Sequence, residues 1–274
     1  TQEPKLSIEE DCVMGRPSCL PGASGHQGFV NTWGLKLQHD LALLSGIPSC
    51  FINAAKGGIG ILECLPSHIP SDPDQLRHSN ADQNAIPYDR VYKKLHVNNA
   101  LSGVKAVFWN HGETDATFNE DTALAYRERF ADLFRAWSLD FPALKKVFVM
   151  QVSIGCGGDH LRLIAEIQRN FPRHLPGVVL MSTVGFQFNE RRADHCHFTL
   201  EGYTALADKL TPLVYSHIYG DGNPSPQFVA PDVRRVYYSA ASEICIEFDQ
   251  DIFVQREFRY PAPVHKTAYM KDNF

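Results

Sequence analysis

The sequence predicts an α/β fold: a parallel sheet with helices on both faces, followed by a small β-rich element. Three observations predict it. Short apolar runs of strand length alternate with amphipathic stretches of helix length, the pattern of a sheet covered on both sides. The unusual polar and glycine-bearing stretches fall where those strands end, which is where ligands bind in such sheets. The texture changes after Gly222, where a proline-rich linker gives way to strand-like runs.

Taken in order, Phe29 to Leu44 is expected to be helical, with Val30, Trp33, Leu37, Leu41 and Leu44 at three- and four-residue spacing and Gly46 and Pro48 as stop signals. "SCFINAA" (49–55) is a short apolar strand that opens into the glycine turn "KGGIG". Pro66 to Pro87 is polar and proline-bearing and reads as a long loop; Tyr88 to Leu101 returns to a helical pattern. "VKAVFWN" (104–110) is a second buried strand. Asn119 to Trp137 is the clearest helix, with Tyr126, Phe130, Leu133, Phe134 and Trp137 on one face. "KKVFVMQVS" (145–153) and "GVVLMST" (177–183) are further strands, separated by the helix "DHLRLIAEIQRNF", and Leu200 to Ile218 closes the series as a helix. Beyond the linker, "RRVYYSA" and "EICIEFDQDIF" read as strands.

Bulk properties exclude several functional classes. At 274 residues, 44% hydrophobic and with mean hydropathy −0.23, the chain describes an ordinary globule with a substantial core. The net charge of −5 comes with no basic block, so a nucleic-acid partner has no electrostatic support. No apolar run approaches the roughly 18–20 residues of a membrane span. The polar opening "TQEPKLSIEED" is not a secretory signal, and no N-x-S/T sequon occurs. The seven cysteines contain no C-x-x-C pair, which points to mostly buried thiols with one or two disulfides; Cys196 reads as a small buried hydrophobe.

The chemistry concentrates in "ADHCHFTLEGY" (193–203). As a zinc site, His195 and His197 would point the same way on an extended segment, with His111, Glu113, Asp159 or His160 as further ligands, but no standard zinc spacing is matched. As an acid–base pair, Asp194 three residues before His197 can take the Nδ1 proton and leave Nε2 free to deprotonate a hydroxyl nucleophile. Two companions fit the second reading. "NAAKGGIGI" ends a strand in a turn whose bare amides at Gly57 and Gly58 can face a developing oxyanion, and "WNHGETD" places a polar cluster around Gly112 at the next strand end.

Together "INAAKGGIGI" (52–61), "WNHGETD" (109–115) and "DHCHFTLEG" (194–202) resemble the SGNH (GDSL-like) hydrolases, in the branch of sialate O-acetylesterases and acetylxylan esterases. That branch typically shows I-N-x-A-x-G-G-T-x-I, W-x-Q-G-E-S/T-D and D-x-x-H-x-x-x-x-G. The resemblance spans about residues 28–220, leaving 1–27 as an N-terminal segment and 221–274 as linker and β-rich element. It implies a three-layer αβα sandwich with a flavodoxin-like sheet. It also implies a carbohydrate O-acetylesterase with a serine nucleophile, His197 as general base and Asp194 orienting it. Amides around Gly58 become oxyanion donors, with Gly57, His111, Gly112 and Glu113 lining the oxyanion and substrate region. No metal or organic cofactor is implied, the partner is an O-acetylated sugar, and the usual substrates place the work outside the cell or in the periplasm.

Three departures stand out. The glutamine of the second motif is His111 here, and the threonine after the glycine pair is Ile59. The early G-D-S or G-Q-S-N string is absent, leaving Ser18 and Ser24 as the early serines. In this fold the first strand lies inside the sheet, so omitting it would strand ladder groups in the core. Either residues 5–14 form an unusually polar strand, or the chain is a segment of a longer protein whose missing part carries strand and serine; the abrupt end at "MKDNF" favours the second. An inactive carbohydrate-binding relative and a zinc-dependent hydrolase stay open as alternatives.

Of the rest, Glu113 and Asp115 are expected to hydrogen-bond backbone and hold their loop, and His195 to face solvent. His26, His39, His68, His78, His96 and His174 read as surface or loop residues, and Trp33, Trp109 and Trp137 as core.

Overall fold

The computed structural model describes residues 7–10, 27–66, 87–153, 158–184 and 196–252. Within them the expected alternation is realised: β1 (Ser7–Glu10), α1 (Gln27–Ser45), β2 (Cys50–Asn53), α2 (Pro87–Val97), β3 (Ala106–Asn110), α3 (Glu120–Asp140), β4 (Lys146–Met150), α4 (Leu161–His174), β5 (Val178–Met181), α5 (Leu200–Ile218), β6 (Val233–Ala240) and β7 (Glu243–Phe248).

β3, β4 and β5 form a parallel sheet in that order. β4, the middle strand, is apolar at both parities because both of its faces are covered. Val147 and Val149 point into one core with Tyr126, Phe130 and Leu133 of α3 and Ile164, Ile167 and Phe171 of α4. Phe148 and Met150 point into the other, with Leu37 and Leu41 of α1 and Leu206, Leu210 and Leu213 of α5. The layers are therefore α1 and α5, then sheet, then α2, α3 and α4, the mixed α/β arrangement that the sequence predicts. An aromatic row of Phe51, Phe108 and Phe148 crosses from β2 to β4 with ring centroids 5.4 Å apart at each step.

Of the two alternatives for the first strand, the polar strand within residues 5–14 is present, as Ser7–Glu10, in a two-stranded sheet with β2. Ser7–Glu10 pairs in parallel with β2, Ser7 opposite Cys50 and Glu10 opposite Asn53. Its composition hid it: two carboxylates in four residues break any apolar run. Pairing with β2 satisfies its backbone on that side, whatever its side chains are.

A second difference concerns α2, which stops at Val97 instead of continuing to Leu101. Asn99 adopts φ +52°, and the Ala100 N–H reaches back to the Leu95 carbonyl at 2.8 Å. This is a left-handed helix stop made by an asparagine in place of glycine. By contrast α3 starts where expected, with Asn119 accepting from the Thr122 N–H at 2.9 Å and Glu120 and Asp121 in the first turn.

β6 and β7 form an antiparallel hairpin tied back to α4 through ion pairs from Arg169 and Arg173 to Asp232. Val236, Tyr238, Ile244 and Ile246 share its exposed apolar side. No helix among the described residues is long and apolar enough to cross a membrane.

Because Phe148 is fully buried at the sheet centre, Phe148→Ala should cost about 3–5 kcal/mol of stability. Denaturant unfolding with an unchanged m-value checks this.

Candidate active site

Within each parallel sheet, β1–β2 and β3–β4–β5, the strands end on one edge, and the loops after β2 and β3 carry residues singled out in the sequence. After β2, Asn53 starts the turn by accepting the Ala55 N–H at 2.9 Å. Gly57 and Gly58 lie exposed, and Gly58 takes φ +75°, which a side chain would disfavour. The chain then dives inward: Ile59, Gly60 and Ile61 are buried, and Ile61 opens a short 3-10 turn.

The loop after β3 reaches across to hold that descent. Asp115, 1% exposed, accepts the Ile61 N–H at 2.9 Å. The same carboxylate packs beside Gly60, 3.4 Å from where a Cβ would stand, an ordinary van der Waals contact. Asp115 therefore holds backbone, as the sequence reading expected, but on a loop 54 residues away as well as its own. Burial raises its pKa first and foremost, and the Ile61 hydrogen bond opposes that rise.

His111 lies in the same wedge, its ring stacked on Trp109 at 4.7 Å. Nε2 is 3.1 Å from the Ile59 carbonyl oxygen, while Nδ1 is buried without a hydrogen-bond partner among the described residues, 3.7 Å from Asp115 Oδ2. A carbonyl can only accept, so the ring proton sits on Nε2 and points at the turn. Burial drives the ring's pKa down to about 4, so it is neutral at physiological pH.

Behind these residues runs a buried polar network that the sequence reading missed. The His111 carbonyl accepts from Gln168 Nε2 at 2.7 Å and from the Tyr126 hydroxyl at 3.0 Å. Trp109 Nε1 donates to that hydroxyl at 2.9 Å, and Gln168 Oε1 accepts the Val152 N–H at 2.7 Å. One glutamine of α4 thus pins the ends of both β3 and β4. Its signal was available: a polar residue on the helix face of Ile164, Ile167 and Phe171. Gly112 completes the fit, since at φ +134° a Cβ there would stand 2.8 Å from Ile164 Cγ2.

His197 precedes α5 by two residues before the N-cap. Thr199 caps the helix by accepting the Gly202 N–H at 3.1 Å. Phe198 is buried edge-on against Tyr203 at 5.5 Å, a hydrophobic staple that sets the angle at which the chain enters the helix. Cys196 is disulfide-bonded, correcting its reading as a plain buried hydrophobe; its partner lies outside the described residues. Asp194 and His195 also lie outside them, as do Ser18 and Ser24.

Glu113 links the two halves of the site. It is half-buried, and burial raises its pKa, opposed first by a hydrogen bond to its own backbone and then by the nearness of His197. His197 therefore stands within electrostatic reach of the loop that holds the glycine turn. Among the described residues, no group of three or more His, Cys, Asp or Glu side chains is placed to hold a metal ion.

A family model described as carbohydrate esterase, sialic acid-specific acetylesterase, matches residues 48–216, more than half of the chain. Among solved structures, the chain is similar to a protein from Arabidopsis thaliana, at 20% identity and a TM-score of 0.56, over 78% of this chain and 83% of that one. At this identity the likeness concerns the fold. The search of curated proteins gives no match.

The depressed pKa of His111 has a thermodynamic signature. Unfolded, the ring binds a proton below about pH 6.5; folded, it resists until about pH 4. Between those values the unfolded state holds more protons, so this group's stabilising contribution is complete above pH 6.5 and is lost as pH falls to 4. The loss is on the order of 3 kcal/mol. Asp115 and Glu113, raised by burial, slope the other way, so the difference between two proteins is the readout. Unfolding of His111→Gln over this range should show a shallower loss of stability than the parent chain.

Proposed function

Because this chain belongs to the carbohydrate esterase family of sialic acid-specific acetylesterases, we propose that it removes acetyl groups from O-acetylated sugars through a serine acyl-enzyme cycle, working outside the cell or in the periplasm. The observation that carries the reading is that the family match takes in the glycine turn, the His111–Asp115 loop and the His197 segment together. The strand topology supports it, since the loops that follow β2 and β3 each leave the carboxyl end of a parallel strand.

In this mechanism His197 removes the proton of a serine hydroxyl as the oxygen attacks the acetyl carbonyl. The carbonyl electrons move onto oxygen, and the amides at Gly57 and Gly58, with the Gly112 region beside them, stabilise the resulting oxyanion. Asp194 orients the imidazole. Glu113 lowers the energy of the imidazolium when ionised, because its carboxylate is close and poorly solvated. Collapse of the intermediate expels the sugar oxygen, which takes the proton from His197. Water, deprotonated by the same ring, then releases acetate and regenerates the serine.

The nucleophile is a serine from the segment after the first strand. With β1 at Ser7–Glu10, the residues that follow it in the chain include Ser18 and Ser24. These replace an upstream serine as the first to test.

The test is hydrolysis of 4-nitrophenyl acetate and of an O-acetylated sialic acid by the full chain, with and without a chelator. His197→Ala should lower kcat/KM about 10³–10⁴-fold, and His195→Ala by less than about threefold. Either Ser18→Ala or Ser24→Ala should abolish turnover. Full activity in both serine variants would remove the serine assignment, and loss of activity on chelation would replace the mechanism with a metal-dependent one.

A further inference from the structure

The glycine turn that would meet the oxyanion is braced at its start by Asn53, which accepts the Ala55 N–H. At Gly57 and Gly58 nothing among the described residues stands within 4 Å of where a side chain would begin. At its exit the chain is gripped on both sides of Gly60 from another loop. His111 Nε2–H is donated to the Ile59 carbonyl, and the Asp115 carboxylate accepts the Ile61 N–H. The two gripping side chains are four residues apart on one loop, and that loop is fastened from behind through the His111 carbonyl by Gln168 and Tyr126.

We infer that His111 is a positioning residue, a tautomer-locked clamp that aims the amides of the glycine turn, and that it does not itself donate to the oxyanion. The inference rests on the esterase reading for the word oxyanion, but the clamp is a property of the fold. A neutral imidazole has one N–H, and here the Ile59 carbonyl holds it. The other nitrogen carries only a lone pair. It is buried without a hydrogen-bond partner among the described residues, and Asp115 Oδ2 at 3.7 Å is too far to bond. The ring is stacked against Trp109 and Tyr126, and the Cys64 sulfur stands 3.9 Å from Nε2, on the side of the committed nitrogen. Where the family pattern has a glutamine amide with two hydrogens, one imidazole hydrogen is available and already committed.

Chemistry supplies a pair of discriminating variants. A glutamine side chain places its amide nitrogen near where Nε2 of a histidine lies, whereas asparagine reaches only to Nδ1. His111→Gln should keep the grip on Ile59, and His111→Asn should lose it.

Nitrogen-detected NMR of the full chain tests the clamp without any activity: the His111 ring should be the Nε2–H tautomer at pH 7. Its Nε2–H resonance should stay put when a boronic acid mimic of the tetrahedral intermediate binds. An Nδ1–H tautomer, or a large shift of Nε2–H on binding, would overturn the inference. Kinetics test the aiming: His111→Asn should lower kcat about 10–100-fold with KM within twofold, and His111→Gln should restore kcat to within about threefold. A loss confined to KM, or equal losses in both variants, would overturn it. If the unaltered chain shows no esterase activity, the Proposed function fails, and the tautomer still decides the clamp. Backbone amide exchange at residues 58–61, faster by tenfold or more in His111→Asn and not in His111→Gln, then stands in for kinetics; equal exchange in the two would overturn the aiming.

Discussion

The carboxylate of Asp115 decides how the loops beyond β2 and β3 meet. It is sealed from water, and a buried charge without partners is expensive. The Ile61 N–H repays part of that cost and would itself be left orphaned if the carboxylate were removed, a loss of about 1–3 kcal/mol. Neither group is tolerable there alone, so each enforces the other. Much of the remaining site hangs on this mutual dependence: the inward path from Ile59 to Ile61 and the seat of the His111 ring.

Behind the loops, rigidity comes from polar groups placed among apolar ones. Gln168 is fully buried, and with Tyr126 it closes a circuit that runs from the indole of Trp109 to the backbone of Val152. Such circuits hold position well when every member is satisfied and badly when one is missing. Stacking of Tyr126 on Phe171 and of Phe130 on Phe171, the latter at 4.0 Å, fixes the rings from the far side. Flexible coil at a strand end is thereby turned into a shaped surface whose amides can be pre-aimed, the condition for electrostatic stabilisation of a transition state.

Most of the fold was legible in the sequence, because periodicity reports burial and burial decides the elements. Val147 to Met150 read as a two-sided strand and is one. What could not be read came from exceptions to that rule. Ser7–Glu10 is a strand by virtue of its backbone pairing, with side chains that carry no apolar signal. The end of α2 depends on one asparagine accepting a left-handed conformation, a choice made by local hydrogen bonds. In the site, the motif residues could be named from spacing, but their orientation could not. Which nitrogen of His111 carries its proton follows from the carbonyl 52 residues earlier, and Gln168 gains its meaning only when α4 packs beneath the loop.

The disulfide at Cys196 adjoins the imidazole on which turnover would rest. The covalent tether and the Phe198–Tyr203 staple hold that segment by different means, one dependent on redox conditions and one on packing. Cross-links of this sort form and endure where the surroundings are oxidising. A batch produced in reducing cytoplasm can therefore display intact helices and a cooperative melt while the ring at 197 wanders, so thiol titration, and not circular dichroism, is the right measure of whether a preparation is competent.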